Sequence, residues 1–231
     1  VMSQKIIVTG ANGGLGTAVT QKLLNEGYEV YGTIIPGRED TERIRASFEN
    51  HERLHLTKLD VLNEQDVENY VSAFDDVYGA VLTVGGFMMK SLKKTTENDL
   101  DKMINLNFKT AFYFARNLVD HLKDRKKGRI FLISSKPGLE KGGKALVSYS
   151  VSKNMLVKLG EIVNEELQGT EATATVIAPD MIDTPANRQA MPDADYKKWM
   201  KPGEIAEAIS FYLSDKADRI REPLLKMYGS Y

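Results

Sequence analysis

Lys5-Ile6-Ile7-Val8-Thr9, followed at once by Gly10-Ala11-Asn12-Gly13-Gly14-Leu15-Gly16, is the stretch that decides the fold. The first five residues are a short apolar run rich in β-branched side chains, which reads as a strand. Thr17 to Asn25 follows with apolar Ala18, Val19, Leu23 and Leu24 and reads as a helix. Strand, glycine-rich turn and helix in that order make a cradle for a dinucleotide. Glycine lets the backbone turn tightly and approach a pyrophosphate closely. The helix N-terminus then offers unpaired N–H groups and partial positive charge to the phosphates. The anchors Gly10, Gly14 and Gly16 are spaced G-x-x-x-G-x-G, whereas the commoner fingerprint is G-x-G-x-x-G. Taken alone, the pattern also fits an ordinary strand-to-helix turn, so matching chemistry has to be sought downstream.

Outward from this turn the chain alternates strand and helix. Strand candidates are Lys5–Thr9, Glu29–Ile35, Leu54–Lys58, Ala80–Val84, Arg129–Ser134, Ala172–Ile177 and Leu224–Tyr228. Helical segments are expected near Gly14–Asn25, Thr41–Asn50, Glu64–Phe74, Glu97–Lys123, Ser148–Leu167 and Pro202–Leu213. Strands separated by helices of this length pair in parallel through right-handed crossovers. The expected fold class is therefore α/β: a single domain over residues 1–231, with a doubly wound seven-stranded parallel sheet and helices on both faces. Ligands on such sheets bind outside the carboxyl ends of the strands. The least regular stretch, residues 179–200, carries Pro179, Pro185 and Pro192 among scattered polar residues. A loop of that length inside a compact domain reads as a lid over a site.

Composition closes off several classes. The 231 residues carry a net charge of −1, so no electrostatic footprint for nucleic acid is present. There is no cysteine, which excludes disulfides, thiolate catalysis and Cys-based zinc sites. His51, His55 and His121 are not arranged as a metal site, and no metal is expected. No apolar run is long enough to cross a membrane. The first strand begins almost at once, so no signal peptide is expected and a cytoplasmic location is the default.

The downstream chemistry lies in Tyr149-Ser150-Val151-Ser152-Lys153. Tyr149 and Lys153 stand four residues apart at the start of an expected helix and share a face. A free phenol titrates near 10, too high for efficient proton exchange at neutral pH. A neighbouring ammonium lowers that value. Tyr149 could then give a proton to a carbonyl oxygen as hydride reaches the carbon, or take one in reverse. A second pair at this spacing, Tyr212 and Lys216, lies near a helix end with no serine partner before it and is read as structural. Upstream of the first pair, the strand Ile130-Phe131-Leu132-Ile133 ends in Ser134-Ser135, whose hydroxyls should open onto the same crevice as the glycine turn.

Together these segments resemble the short-chain dehydrogenase/reductase family over essentially the whole chain. Its T-G-x-x-x-G-x-G motif matches Thr9 to Gly16, and its Y-x-x-x-K pair matches Tyr149 and Lys153. Leu59-Asp60-Val61 resembles the adenine-contacting segment, and Ile104-Asn105-Leu106-Asn107 the helix carrying a fourth catalytic residue. Ala178-Pro179-Asp180-Met181-Ile182-Asp183-Thr184-Pro185 resembles the P-G-x-x-x-T segment. The resemblance implies a Rossmann fold and an NAD(P)-dependent oxidoreductase. It makes Tyr149 the general acid/base and has Lys153 bind the nicotinamide ribose and lower the tyrosine pKa. A serine positions the substrate oxygen, and Asn107 links Lys153 to solvent through water. The implied cofactor contacts are Gly10, Asn12, Gly13, Gly14, Leu15, Gly16, Asp60, Val61, Val84, Gly85, Gly86, Tyr149, Lys153, Pro179, Ile182 and Thr184.

Three departures stand out. Thr83-Val84-Gly85-Gly86 replaces the family's usual N-N-A-G, and Asp180 replaces its usual glycine. Lys136 occupies the usual serine position, so Ser135, one residue earlier, is favoured over Ser134 as the active serine. Val84-Gly85-Gly86-Phe87 and the run from Asp183-Thr184-Pro185-Ala186-Asn187-Arg188 to Met191-Pro192-Asp193-Ala194-Asp195, followed by Trp199, resemble dihydropteridine reductases, a branch of the same family. Those reductases generally lack the active-site serine that Ser135 supplies here.

No acid follows the second strand at Ile34 or Ile35, where a carboxylate would bind the NAD ribose. Arg38 stands near enough to meet a 2′-phosphate, with Thr33 as a helper, so NADP(H) is favoured over NAD(H). The leading expectation is hydride transfer between nicotinamide and a small carbonyl or alcohol substrate. A quinonoid dihydropteridine reductase-like enzyme, a non-catalytic NAD(P)-sensing regulator and a sugar-nucleotide epimerase of related fold are the alternatives. A small-molecule carbonyl or pterin-like substrate and a homodimer or homotetramer are the expected partners, with Phe108, Phe112 and Phe114 divided between core and interface.

Overall fold

The computed structural model describes residues 3–37, 41–141 and 143–228. Its strands are β1 (Lys5–Thr9), β2 (Glu29–Ile34), β3 (Leu54–Lys58), β4 (Gly79–Leu82), β5 (Arg129–Ile133), β6 (Thr173–Pro179) and β7 (Leu224–Met227). They form one sheet in the order β3-β2-β1-β4-β5-β6-β7, with every pairing parallel. The helices are α1 (Gly14–Asn25), α2 (Thr41–Ala46), α3 (Glu64–Ser72), α4 (Glu97–Ile104), α5 (Thr110–Arg125), α6 (Lys136–Leu139), α7 (Val147–Glu166), α8 (Pro185–Ala190) and α9 (Pro202–Leu213).

Strand residues alternate between two cores, as the period of an extended chain requires. Ile6, Val8, Phe131 and Ile133 pack on one face with Leu15, Val19 and Leu23 of α1 and Ile205, Ile209 and Leu213 of α9. Ile7, Ile130 and Leu132 pack on the other with Val67 and Val71 of α3, Phe114 and Leu118 of α5, and Leu156, Leu159 and Val163 of α7. Because both faces are covered, strands such as β5 read as unbroken apolar runs. Phe114 belongs to the core, and Phe108 and Phe112 are only partly buried against it.

The order of strands reverses at β1. The chain leaves it for β2 and β3 on one side and returns to β4 on the other. Loops leaving the carboxyl ends of β1 and β4 must diverge there, and the divergence opens a crevice. Thr9 and Thr83 tie its floor together, Thr83 Oγ1 donating to Thr9 O at 2.6 Å.

Two expectations are corrected. The helix expected over Glu97–Lys123 is interrupted. α4 ends at Ile104, a π-helical turn spans Asn105–Lys109, and α5 resumes at Thr110, whose N–H reaches back to Asn105 O. One extra residue per turn re-aims the side chains in that turn, a common device at functional sites. The segment expected to be irregular, residues 179–200, contains α8 and a short 3₁₀ turn, Tyr196–Lys198. Pro185 opens α8 at its first position, where the missing N–H costs nothing, and Thr184 caps it by accepting from Asn187 N.

Candidate active site

The glycine turn is built as the spacing demands. Gly10 adopts φ +65°, which a residue with a side chain resists, and its carbonyl accepts from Gly13 N at 2.8 Å. A Cβ on Gly16 would collide with that same carbonyl. α1 starts after Gly13 with no side-chain cap and no acid in its first turn. The dipole end of α1 is therefore left for an anion. Gly10, Asn12, Gly13, Gly14, Leu15 and Gly16 line a cavity of about 360 Å³, together with Asp60, Val61, Val84 and Gly85. Asp60 is held by accepting from Leu62 N at 3.0 Å. Thr33 lines the cavity but is buried, its Oγ1 accepting from Gly10 N. Arg38 lies outside the described residues.

A second cavity of about 630 Å³ continues from the first through Leu15, Thr83 and Gly85, so the two form one cleft. Gly86, Ser135, Tyr149, Lys153, Pro179 and Ile182 all line it. The two serine hydroxyls differ in their partners. Ser134 Oγ donates to Lys153 O at 2.7 Å and is spent on the backbone. Ser135 Oγ is buried with no hydrogen-bond partner among the described residues. Burial raises the Tyr149 pKa above 10, and the Ser135 hydroxyl opposes that rise. Phe87 packs its ring edge-to-face on Tyr149, centroids 5.0 Å apart.

Lys153 is almost fully buried on α7, one turn beyond Tyr149. Its ammonium donates to Ile133 O at 2.8 Å, and burial pulls its pKa down to about 8. The ammonium is engaged with the β5 carbonyl, and burial dominates the phenol. Asn107 sits in the π-helical turn, fully buried, and lines neither cavity. Its Oδ1 accepts from Gly86 N at 2.8 Å and its Nδ2 donates to Ser152 Oγ at 2.9 Å. Asn107 thus joins the loop after β4 to the helix that carries Tyr149 and Lys153.

The segment after β6 closes the far wall of the cleft. Ile182 bridges to Met200, and Asp183 N donates to Met200 O at 2.8 Å. Arg188 holds Asp183 through two hydrogen bonds, and its guanidinium lies 4.7 Å from the Tyr196 ring centroid. Asn187 Nδ2 donates to Ile182 O, and the Tyr196 hydroxyl donates to Pro192 O, each at 2.8 Å. Thr184 lines neither cavity, but a Cβ on Gly14 would lie 2.7 Å from its Cγ2, so the segment seats directly on the glycine turn.

Comparison with known proteins places this architecture. The family model described as short chain dehydrogenase matches residues 4–195. The chain belongs to the short chain dehydrogenase family. It is 26% identical over 99% of both chains to the 3-oxoacyl-[acyl-carrier-protein] reductase FabG of Aggregatibacter actinomycetemcomitans. It is also 26% identical to an acetoacetyl-CoA reductase of an Acinetobacter species, over 98% of this chain and 97% of that one. Among solved structures, ElxO with NADP bound superposes with a TM-score of 0.89 at 22% identity, covering 98% and 97% of the two chains. A short-chain dehydrogenase/reductase of Serratia marcescens gives 0.87 at 24% identity, covering 98% and 96%.

As a short chain dehydrogenase, the protein is an NAD(P)-dependent oxidoreductase, and its cleft fits that cofactor. The glycine turn and bare helix end suit a pyrophosphate. A Cβ on Gly85 would lie 2.7 Å from Asn107 Oδ1 and 3.0 Å from Lys153 Nζ, so both polar atoms face a space that only glycine leaves open. Sequence reasoning missed several wall residues of this short chain dehydrogenase: Met89, Leu146, Asn187 and Met191 also line the second cavity. Met89 and Leu146 carry no motif and reach the site only through the folding of their loops, whereas Asn187 and Met191 belong to the lid run. No helix among the described residues is long and apolar enough to cross a membrane, and those residues hold no metal-binding cluster.

Proposed function

We propose that this enzyme reduces a small carbonyl compound at the expense of NADPH, with Tyr149 as the proton donor. The observation that carries the reading is Ser135 Oγ: buried, unpartnered and beside the Tyr149 phenol in a cleft continuous with the dinucleotide turn. Bound nicotinamide supplies the hydride. The substrate oxygen accepts hydrogen bonds from Ser135 Oγ and Tyr149 Oη, which hold it as negative charge develops. The Tyr149 proton passes to that oxygen. Burial holds the phenol above its ordinary pKa, so it stays protonated at neutral pH and can serve as the proton donor. Lys153 binds the cofactor ribose, and Asn107 fixes the Gly86 loop against α7. Pro179, Ile182 and Thr184 cover the nicotinamide end as part of a lid over residues 179–200. Tyr149→Phe should lower kcat by at least about 100-fold and leave the Kd for NADPH within about twofold. Retained turnover would remove Tyr149 from this role.

The preference for NADP(H) rests on Arg38 and on the missing acid after β2. Arg38→Ala should weaken NADPH binding more than NADH binding, and equal effects would exclude Arg38. The pterin reading drew on the lid motif. Asp183, Arg188, Asn187 and Tyr196 are engaged with one another and with the lid backbone. The motif therefore supports a lid of this build and does not by itself select a pterin substrate. Direct assay of quinonoid dihydropterin beside simple ketones separates the two.

A further inference from the structure

The cavity beside Tyr149 is walled mainly by apolar side chains, among them Phe87, Met89, Leu146, Met181 and Met191. Two charged residues line it, Lys153 and Asp180. Lys153 is buried and held by Ile133 O. Asp180 is different: its side chain is 40% exposed, and it stands just past the carboxyl end of β6, across from Ser135 at the end of β5. The carboxylate is fixed from behind. Its backbone N–H donates to Met227 O at 2.8 Å, and its Oδ1 accepts from Met181 N at 2.9 Å. Its Oδ2 accepts from Lys136 Nζ at 2.8 Å. Lys136 does not line the cavity, and its ammonium lies 4.9 Å from the Tyr228 ring centroid. The cation thus supports the carboxylate from outside the cavity, while the carboxylate itself stands on the wall.

An ionised carboxylate only accepts hydrogen bonds and has room for about four. Two acceptances are accounted for at Asp180. We infer that Asp180 is a specificity-determining residue: it binds an amine or ammonium group that the substrate carries in addition to its reacting carbonyl. The same carboxylate disfavours substrates that place a carboxylate or phosphate there. The inference rests on the reading that a carbonyl substrate lies beside Tyr149.

The test uses the full-length enzyme, NADPH and three ketones of matched size, bearing an ammonium, a methyl or a carboxylate group. For wild type, kcat/KM should favour the ammonium ketone over the methyl ketone by about tenfold or more, with the carboxylate ketone last. Asp180→Asn should bring the three to within about twofold of one another. Lys136→Met, which strips the carboxylate of its outer partner, should widen the preference for ammonium. A Lys136–Asp180 pair that only staples β5 to β6 would lower all three substrates together in both variants, and that result overturns the inference. Binding of the three matched alcohols, read from quenching of bound NADPH fluorescence, gives the same ranking independently of turnover. Ranking without turnover would sink the reduction reading and leave the Asp180 assignment standing; turnover without ranking would do the reverse.

Discussion

Lys153 offers a prediction that can be followed in stability rather than activity. Its ammonium is buried, and its pKa falls from 10.5 to about 8 through desolvation. Each pKa unit corresponds to about 1.4 kcal/mol, so the full difference between folded and unfolded chain is about 3 kcal/mol. The sign follows from proton counts. As pH rises through 8 the folded protein releases this proton, while the unfolded chain keeps it until about 10.5. Stability therefore rises with pH across that window, by about 2 kcal/mol between pH 7 and pH 9.5. It is lost again as pH falls through 8. Tyr28 and Tyr31, raised by burial to about 12, act in the opposite sense, but only above pH 10, where an unfolded tyrosine ionises. Lys153→Met removes the titration. It also orphans the Ile133 carbonyl at a cost of about 1–3 kcal/mol, which does not vary with pH. Denaturant unfolding of wild type and variant at both pH values isolates the effect. Wild type should gain about 2 kcal/mol on the variant between pH 7 and pH 9.5. A wild type–variant difference that stays constant to within about 0.5 kcal/mol would refute the buried, desolvated lysine.

Two further expectations follow from the packing around Lys153. Asn107→Ala leaves Gly86 N without a partner, removes the donor to Ser152 Oγ and opens a small cavity, and chemical denaturation should register a loss of about 2–4 kcal/mol. Gly85→Ala places a methyl group against Asn107 Oδ1 and Lys153 Nζ. Turnover should fall by at least about tenfold while stability drops by only about 1–3 kcal/mol, a split that steady-state kinetics and a melting curve together can check.

Some of this was legible because it depends on short-range rules. Tight turning and close approach at Gly10 and Gly16 admit only glycine, so the turn announces itself in the letters. Buried parallel strands are apolar on both faces, so β1, β5 and β6 stand out as runs. Tyr149 and Lys153 share a helix face by spacing alone. The π-helical turn was not legible, because nothing in the letters of Asn105–Lys109 distinguishes it from an α-helical turn. Its altered winding accompanies Asn107's bonds to Gly86 and Ser152, which are distant in the chain. The internal order of residues 179–200 also escaped: it comes from Arg188 on Asp183 and Tyr196 on the Pro192 carbonyl, contacts that prolines and polar residues do not advertise.

By itself, then, the sequence determined the doubly wound sheet, the dinucleotide turn and the Tyr149–Lys153 pair, since each follows from local spacing and backbone sterics. Only the tertiary structure distinguishes the hydroxyls of Ser134 and Ser135, because Lys153 O captures the first and leaves the second without a partner among the described residues. It also decided the protonation balance of the site. Burial moves the Tyr149 and Lys153 pKa values toward their neutral forms, and burial belongs to the packed molecule rather than to any pair of residues.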